Sequence, residues 1–442
     1  MKNYRFEDLN LKAPFLKALN EEGYTSPTPI QKETIPLVLQ GQDLMGMAQT
    51  GTGKTAAFTL PILQKLNANQ STEKARDPRA LILAPTRELA IQINESIRKY
   101  GQYIAIKHTV VFGGVKQGPQ VKSLARGMDV IVATPGRLLD LINQGVCSLN
   151  KIQFFVLDEA DRMLDMGFIR DVEKVIKLLP KQRQTLFFSA TMPESVIKFS
   201  ETMLKSPVKV KVKSTLTPVE RISQSVIVIE PQDKVLQLIT LLKEKVFESV
   251  IVFTRTKHKA NRICQKLINV GIQTEAIHSN KSQAARQRAL NAFKHGEIKV
   301  LIATDIAARG IDIDAISHIV NFDIPSTPED YVHRIGRTAR AGASGTAITF
   351  CEPSERLKLF RIEKLINLKL EVVKSHLLNP ENLIGYNEEI SNTSMDNKKN
   401  FNQFESKKYK SSKLANTKGK SELKRNAKKS KLSDKRKKSK KK

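Results

Sequence analysis

The chain has 442 residues, 40% of them hydrophobic, and a formal net charge of +30. That length fits two or three domains, each able to bury its own core, and a charge that large points to a polyanionic partner, nucleic acid before an anionic membrane surface. Cys147, Cys264 and Cys351 are far apart, which excludes a zinc module or a disulfide scaffold and suits free thiols in a reducing compartment.

No apolar run approaches the ~20 residues of a membrane span. Residues Met1–Asp8 have no signal-peptide core, so a cytoplasmic protein without membrane association is expected. In chain order, the first predicted feature is Ala48-Gln49-Thr50-Gly51-Thr52-Gly53-Lys54-Thr55, between a short apolar stretch and a helix. Predicted strands follow at Ala80–Ala84, Thr109–Phe112, Val130–Ala133, Phe154–Leu157 and Thr185–Phe188. They are continuously apolar, as in parallel strands buried on both faces. Helices Arg87–Tyr100 and Arg137–Gln144 lie between them, each closed by a glycine. The second half repeats the pattern at Val226–Ile229, Val250–Phe253, Val300–Ala303, His318–Asn321 and Ala347–Phe350. The reading is α/β: two tandem domains with open, mostly parallel sheets. The expected divisions are 1–207, a linker at 208–221 (in which Val208–Val212 could be a last strand), a second domain at 222–378 and a Lys-rich tail at 379–442. From Ser391 onward there are 18 Lys and 2 Arg against 4 acidic residues, a net +16 that leaves +14 for residues 1–390. Such a tail is read as disordered.

Gly51 and Gly53 let backbone N–H groups curl round phosphate oxygens at a helix start. Lys54 can reach the β- and γ-phosphates, and the Thr55 hydroxyl can ligate Mg²⁺. The generic phosphate loop has Gly at position 48, where this chain has Ala. Phe154–Leu157 runs into Asp158-Glu159-Ala160-Asp161, which places acids at the carboxyl edge of a sheet, where α/β ligands bind. Asp158 would hold Mg²⁺ through water, and Glu159 would orient and activate the attacking water. Alone, the four residues could equally be an acidic helix cap; with the phosphate loop, the catalytic reading leads.

Asp158-Glu159-Ala160-Asp161 is similar to the motif that names the DEAD-box helicases, and other motifs of that family follow in order over residues 6 to about 345. The resemblance implies two RecA-like domains, ATP and Mg²⁺, and RNA as substrate. It accounts for Ala48, which that family commonly has. Gly23–Gln31 resembles the adenine-reading Q motif, with Phe6 as its upstream aromatic. A carboxamide at Gln31 matches the N6 amine and N7 of adenine. Ser189-Ala190-Thr191 resembles the motif that couples hydrolysis to strand separation, together with Asp161 and His333. His333–Arg340 resembles the arginine-finger motif, with Ala339 where Gly is usual. Arg337 and Arg340 are expected to reach the γ-phosphate on domain closure, and Asp312 to contact the ribose.

Segments resembling the family's nucleic-acid groove are Pro85-Thr86-Arg87-Glu88-Leu89, Gly113-Gly114 and Thr134-Pro135-Gly136-Arg137, then Phe253-Thr254-Arg255-Thr256, Gln283 with Arg286, and Thr304-Asp305. Their hydroxyls, arginines and N–H groups suit phosphate and sugar rather than base edges, so single-stranded and duplex RNA are both expected partners, with little sequence preference. RNA rather than DNA follows from the resemblance alone. Phe253-Thr254-Arg255-Thr256-Lys257-His258 with Ala260-Asn261, and His278 with Asn280-Lys281-Ser282-Gln283 and Ala285-Arg286, resemble the bacterial RhlE-like branch, which has Arg at the position of Arg255 where Asn is common. This suggests ribosomal precursors or RNA-decay proteins as partners, and a monomer is expected. An ATP-gated RNA clamp and a DNA helicase are the competing readings. A GTPase or transporter ATPase leaves the second-half motifs unexplained.

The tail should add non-specific phosphate affinity, with Phe401, Phe404 and Tyr409 available to stack on bases. Deleting residues 391–442 is expected to weaken RNA binding and flatten its salt dependence. A salt slope that does not change on deletion rejects a role for the tail in holding RNA.

Overall fold

The computed structural model describes residues 4–48, 51–69, 77–212, 222–308, 316–339 and 345–373. The first half holds seven strands: β1 Leu44–Met47, β2 Ala80–Leu83, β3 His108–Val111, β4 Val130–Ala133, β5 Phe154–Leu157, β6 Gln184–Ser189 and β7 Val208–Lys211. The second half holds seven more: β8 Ile222–Val228, β9 Val250–Phe253, β10 Thr274–Ile277, β11 Val300–Ala303, β12 His318–Asn321, β13 Gly345–Cys351 and β14 Glu371–Val373. The sheet orders are β3-β4-β2-β5-β6-β1-β7 and β10-β11-β9-β12-β13-β8-β14. Counted from its own first strand, the second sheet repeats the order of the first. Every pairing is parallel. Two RecA-like α/β domains in tandem are therefore present.

The first sheet shows why its sequence makes strands. Along β2, Ala80 and Ile82 enter the core on one face while Leu81 and Leu83 enter the core on the other. Val130, Val132, Phe154 and Val156 join the first of these cores, and Ile131, Ala133, Phe155 and Leu157 the second. A strand buried on both faces must be apolar at every position, and each large apolar side chain so buried contributes about 1.5–3 kcal/mol.

Four strands were not among those expected from the sequence as definite elements. β1 is short and interrupted by Gly46. β7, β10 and β14 are edge strands with exposed charged positions: Lys209, Lys211, Glu275 and Glu371. One covered face leaves a mixed sequence with a weak signal. Because Val208 pairs with Leu44, the first sheet takes up the start of the stretch expected as linker. Residues 213–221 and the expected tail lie outside the described residues.

Gly46 is set by packing. It pairs with Phe188, and a Cβ there would lie 2.6 Å from the Phe188 ring. That ring in turn packs on Phe58, with centroids 5.3 Å apart. Gly46→Ala should therefore cost about 1–3 kcal/mol through overpacking, read as a lowered urea midpoint. An unaltered midpoint would show that the Phe188 ring can give way freely.

Candidate functional site

β1 leads into the phosphate loop, whose Gln49 and Thr50 lie outside the described residues. Gly51 and Gly53 have φ of +81° and +86°, in the left-handed region that favours glycine. Gly53 caps the helix Lys54–Ala68, and a Cβ on it would lie 2.3 Å from Gln31 Nε2. Gln31 is 2% exposed. Its Nε2 donates to Gly53 O (3.1 Å) and its Oε1 accepts from Thr28 N–H (2.9 Å). The carboxamide expected to read adenine thus also braces the phosphate loop, and keeps one donor and one acceptor position. Phe6 is buried in the first core and, with Tyr24 and Thr25, borders a cleft of about 590 Å³. Ala48 is buried and donates its N–H to Ser189 O (3.1 Å). Thr52 and Thr55 are half-buried.

Lys54 is buried, and among the described residues its Nζ has no hydrogen-bond partner. A buried ammonium is costly unless something pairs with it. A phosphate oxygen in the loop would do so, and the residues present therefore fit a nucleoside triphosphate.

β5 ends at the acids. Asp158 is buried, which pushes its carboxyl up to about 6 against the opposing pull of Lys54. Its Oδ1 accepts from Glu159 N–H (2.9 Å). Glu159 has φ +52°, a strained conformation for a side chain of its size that costs of order 1 kcal/mol. Burial alone would raise its carboxyl, but Arg162, Lys54 and Arg337 outweigh burial and hold it below the usual range. Arg162 Nη1 donates to Glu159 Oε2 (2.8 Å), and both side chains are buried. Asp161 Oδ2 accepts from Thr191 N–H (2.8 Å) and Oγ1–H (2.9 Å). Ser189 Oγ accepts from Asp161 N–H (3.3 Å) and donates to Thr191 O (2.6 Å). The two motifs expected to couple hydrolysis to strand separation are thus one hydrogen-bonded unit.

The second sheet supplies the opposite wall. His333 and Arg334 lie in the last turn of the helix Pro328–Ile335, and Arg337 lies two residues beyond its end. Arg337 is buried, donates from Nε to His333 O (3.3 Å) and acts electrostatically on Glu159. Burial, then Arg162, push the His333 imidazole down to about 4 against the opposing Asp161, so it is neutral near pH 7. Arg340 and Asp312 lie outside the described residues. Arg334 is a hub that the sequence reading passed over. At 2% exposure it meets both Asp305 oxygens (2.5 and 2.8 Å), Asn321 Oδ1 (3.2 Å) and Asp323 O (2.6 Å). Arg162 was passed over too. The available signal was position alone: Arg162 directly follows the Asp158–Asp161 motif, and Arg334 lies inside the His333–Arg340 motif.

The expected nucleic-acid residues follow β2, β3 and β4 in one sheet and β9, β10 and β11 in the other. Arg87 folds over Gly114: a Cβ on that glycine would lie 2.1 Å from Arg87 Nη1. Burial, then Arg286, lower the Arg87 pKa, with Arg137 adding a smaller push. The three arginines therefore form one cationic cluster drawn from both sheets. Gln283 Nε2 donates to Glu88 Oε1 (2.8 Å), Arg286 pairs with the same oxygen (3.1 Å), and Arg87 reaches Gln283 Oε1 (3.5 Å). Gln283 and Arg286 thus also join the two sheets through Glu88, a residue of the same expected groove segment as Arg87.

Several of the other expected contact residues also bond within the protein. Thr254 is 0% exposed and donates to Thr256 O (3.2 Å), so its hydroxyl does not face a groove. Arg255 pairs with Glu355 (2.8 Å) and Asp305 with Arg334. Thr86 is buried, and its Oγ1 caps the helix Arg87–Tyr100 by accepting from Leu89 N–H (3.2 Å). Pro85 and Pro135 are buried. Gly113, Thr134, Arg137 and Thr304 are half-buried and Gly136 is exposed.

Ala339 has φ +54°, which explains why glycine is usual there. The left-handed conformation costs an L-residue about 1–2 kcal/mol, and glycine's extra chain entropy offsets roughly half of that. Ala339→Gly should raise stability by about 0.5–1 kcal/mol, measured by denaturant unfolding of the full chain. A loss of stability would show that the turn is not strained.

Comparison with known proteins agrees with this architecture. The family model for DEAD/DEAH box helicases matches residues 28–199, and that for the helicase conserved C-terminal domain matches 233–342. The chain is 44% identical over 373 residues to the DEAD-box ATP-dependent RNA helicase CshA of Bacillus subtilis, covering 84% of this chain and 74% of that one. It is 43% identical over 370 residues to the ATP-dependent RNA helicase DeaD of Escherichia coli, covering 84% and 58%. Its fold matches S. cerevisiae Dbp5 bound to RNA and ADP BeF3 at a TM-score of 0.76 and 32% identity, covering 86% and 98%. With both family models matched in order and relatives this similar over most of its length, the chain belongs to the DEAD-box helicase family.

Proposed function

We infer that the chain is an ATP-dependent RNA helicase that couples ATP hydrolysis to local, largely sequence-independent opening of RNA duplexes. The observation that carries this reading is the composite wall around Glu159: Lys54, Asp158 and Arg162 from the first sheet, His333 and Arg337 from the second. Neither domain holds the full set of charges. Hydrolysis then needs the domains together, and RNA spanning both sheets favours that state.

Lys54 and the loop N–H groups would bind the triphosphate, and the free positions of Gln31 would meet adenine. Glu159, ionised and held by Arg162, accepts a proton from the attacking water. Arg337 stabilises charge that develops on the transferred phosphoryl group. Thr55 and Asp158 are the residues that would hold Mg²⁺, which when bound neutralises charge on the phosphate oxygens. The Arg87–Arg137–Arg286 cluster repels itself, and a sugar–phosphate backbone relieves that repulsion. The resemblance of segments 253–261 and 278–286 to the RhlE-like branch supports ribosome assembly or RNA turnover as the setting.

Glu159→Gln should lower RNA-stimulated ATP turnover by about 10²–10⁴-fold while ATP-dependent RNA binding persists. ATP-gated RNA binding with negligible turnover in both proteins would replace the helicase with a clamp. Equal stimulation by single-stranded DNA would remove the RNA preference.

A further inference from the structure

The helix Arg356–Ile366 near the end of the second domain has an unusual outer face. Arg356, Phe360 and Lys364 follow one another at i, i+4 and i+8 and are exposed, Phe360 to 62%. They form a row of cation, aromatic ring and cation about 12 Å long. The adjacent row, Leu357, Arg361 and Leu365, is exposed as well. Glu363 is half-buried, and its Oε1 accepts from Leu370 N–H (2.9 Å), beyond the end of the helix.

The start of this helix adjoins the expected nucleic-acid track. Glu355, the residue before it, is buried and accepts from Arg255 Nη2 (2.8 Å) and Lys358 Nζ (3.1 Å). Arg255 follows β9, on the edge that carries the other second-domain groove residues. The row therefore begins one residue from a side chain bonded to that track.

We propose that Arg356, Phe360 and Lys364 extend the RNA track beyond the groove between the domains, with Phe360 as a stacking platform for an unpaired base and the two cations on flanking phosphates. A ring set between cations is what sequence-tolerant single-strand binding uses. Like charge disfavours the Lys-rich stretch 391–442, or a second copy of this +30 chain, as the occupant. The proposal rests on the RNA-helicase reading.

The test uses the full chain, ADP with beryllium fluoride, and 5′-labelled oligouridylates of roughly 6 to 24 nucleotides, a range chosen to bracket single-strand site sizes. Binding is read by fluorescence anisotropy across a salt series. Arg356→Gln/Phe360→Ala/Lys364→Gln should weaken binding of the longest RNA about 10-fold and reduce the salt slope by about 1.4, the value for two phosphate contacts on a single strand. Binding of the shortest RNA and ATP turnover at saturating RNA should stay at wild-type levels. Equal affinity of wild type and variant for long RNA overturns the proposal. So does loss confined to Leu357→Ser/Leu365→Ser, which would mark an apolar docking face for protein. If the wild type binds RNA of neither length, the helicase reading itself fails, an outcome distinct from the variant's behaviour.

Discussion

The whole arrangement depends on one constraint: every strand in both sheets is parallel to its neighbours. Parallel strands end together, so the loops and helix starts that follow them share one edge of the sheet. In the first sheet that edge divides cleanly. β3, β4 and β2 are neighbours and lead into the glycine pair, the Thr134–Arg137 segment and the Pro85–Arg87 segment. β5, β6 and β1 are neighbours and lead into the acids, the Ser189–Thr191 segment and the phosphate loop. The residues expected to meet nucleic acid and those expected to meet nucleotide thus share one edge of one sheet. Because the second sheet repeats the strand order, Gln283, Thr304 and Arg255 follow the strands equivalent to β3, β4 and β2.

The charges on this edge are buried, and burial makes them interdependent. Lys54, Asp158, Glu159, Arg162 and Arg337 are all nearly closed to solvent. A buried ion loses hydration and keeps its charge only if partners replace that hydration. Glu159 has Arg162 from its own helix and Arg337 from the other domain, which is why it stays ionised while Asp158 beside it is pushed toward protonation. Removing either domain removes part of the compensation. The same logic applies at Arg334, whose four acceptors tie the loops after β11 and β12 to the finger helix. In the function proposed above, coupling between nucleotide and nucleic acid would run over short polar contacts, Asp161–Thr191 on one side and Glu88–Gln283–Arg286 on the other.

Much of the nucleotide site was legible in the sequence, because its parts are local. A phosphate loop is a run of contiguous backbone whose glycines, Lys54 and Thr55 act on one ligand. The acids follow a continuously apolar strand, so their place at a sheet edge could be read from one segment. The central strands were legible for the same reason, since burial on both faces demands an unbroken apolar run. The edge strands β7, β10 and β14 carry charge on an exposed face and gave a weaker signal.

What the chain by itself determined was the order of the chemistry: phosphate loop, acids, coupling segment and arginine motif, on two α/β halves of a strongly basic protein. Tertiary structure decided which side chains are available. It buried Thr254, paired Arg255 with Glu355 and Asp305 with Arg334, turned Gln31 into a brace for the phosphate loop, and gave Ala339 a left-handed backbone. It also brought Glu88 of the first half to Gln283 and Arg286, nearly two hundred residues away in sequence. Such pairings depend on packing between distant segments, and periodicity and spacing report only on neighbours along the chain.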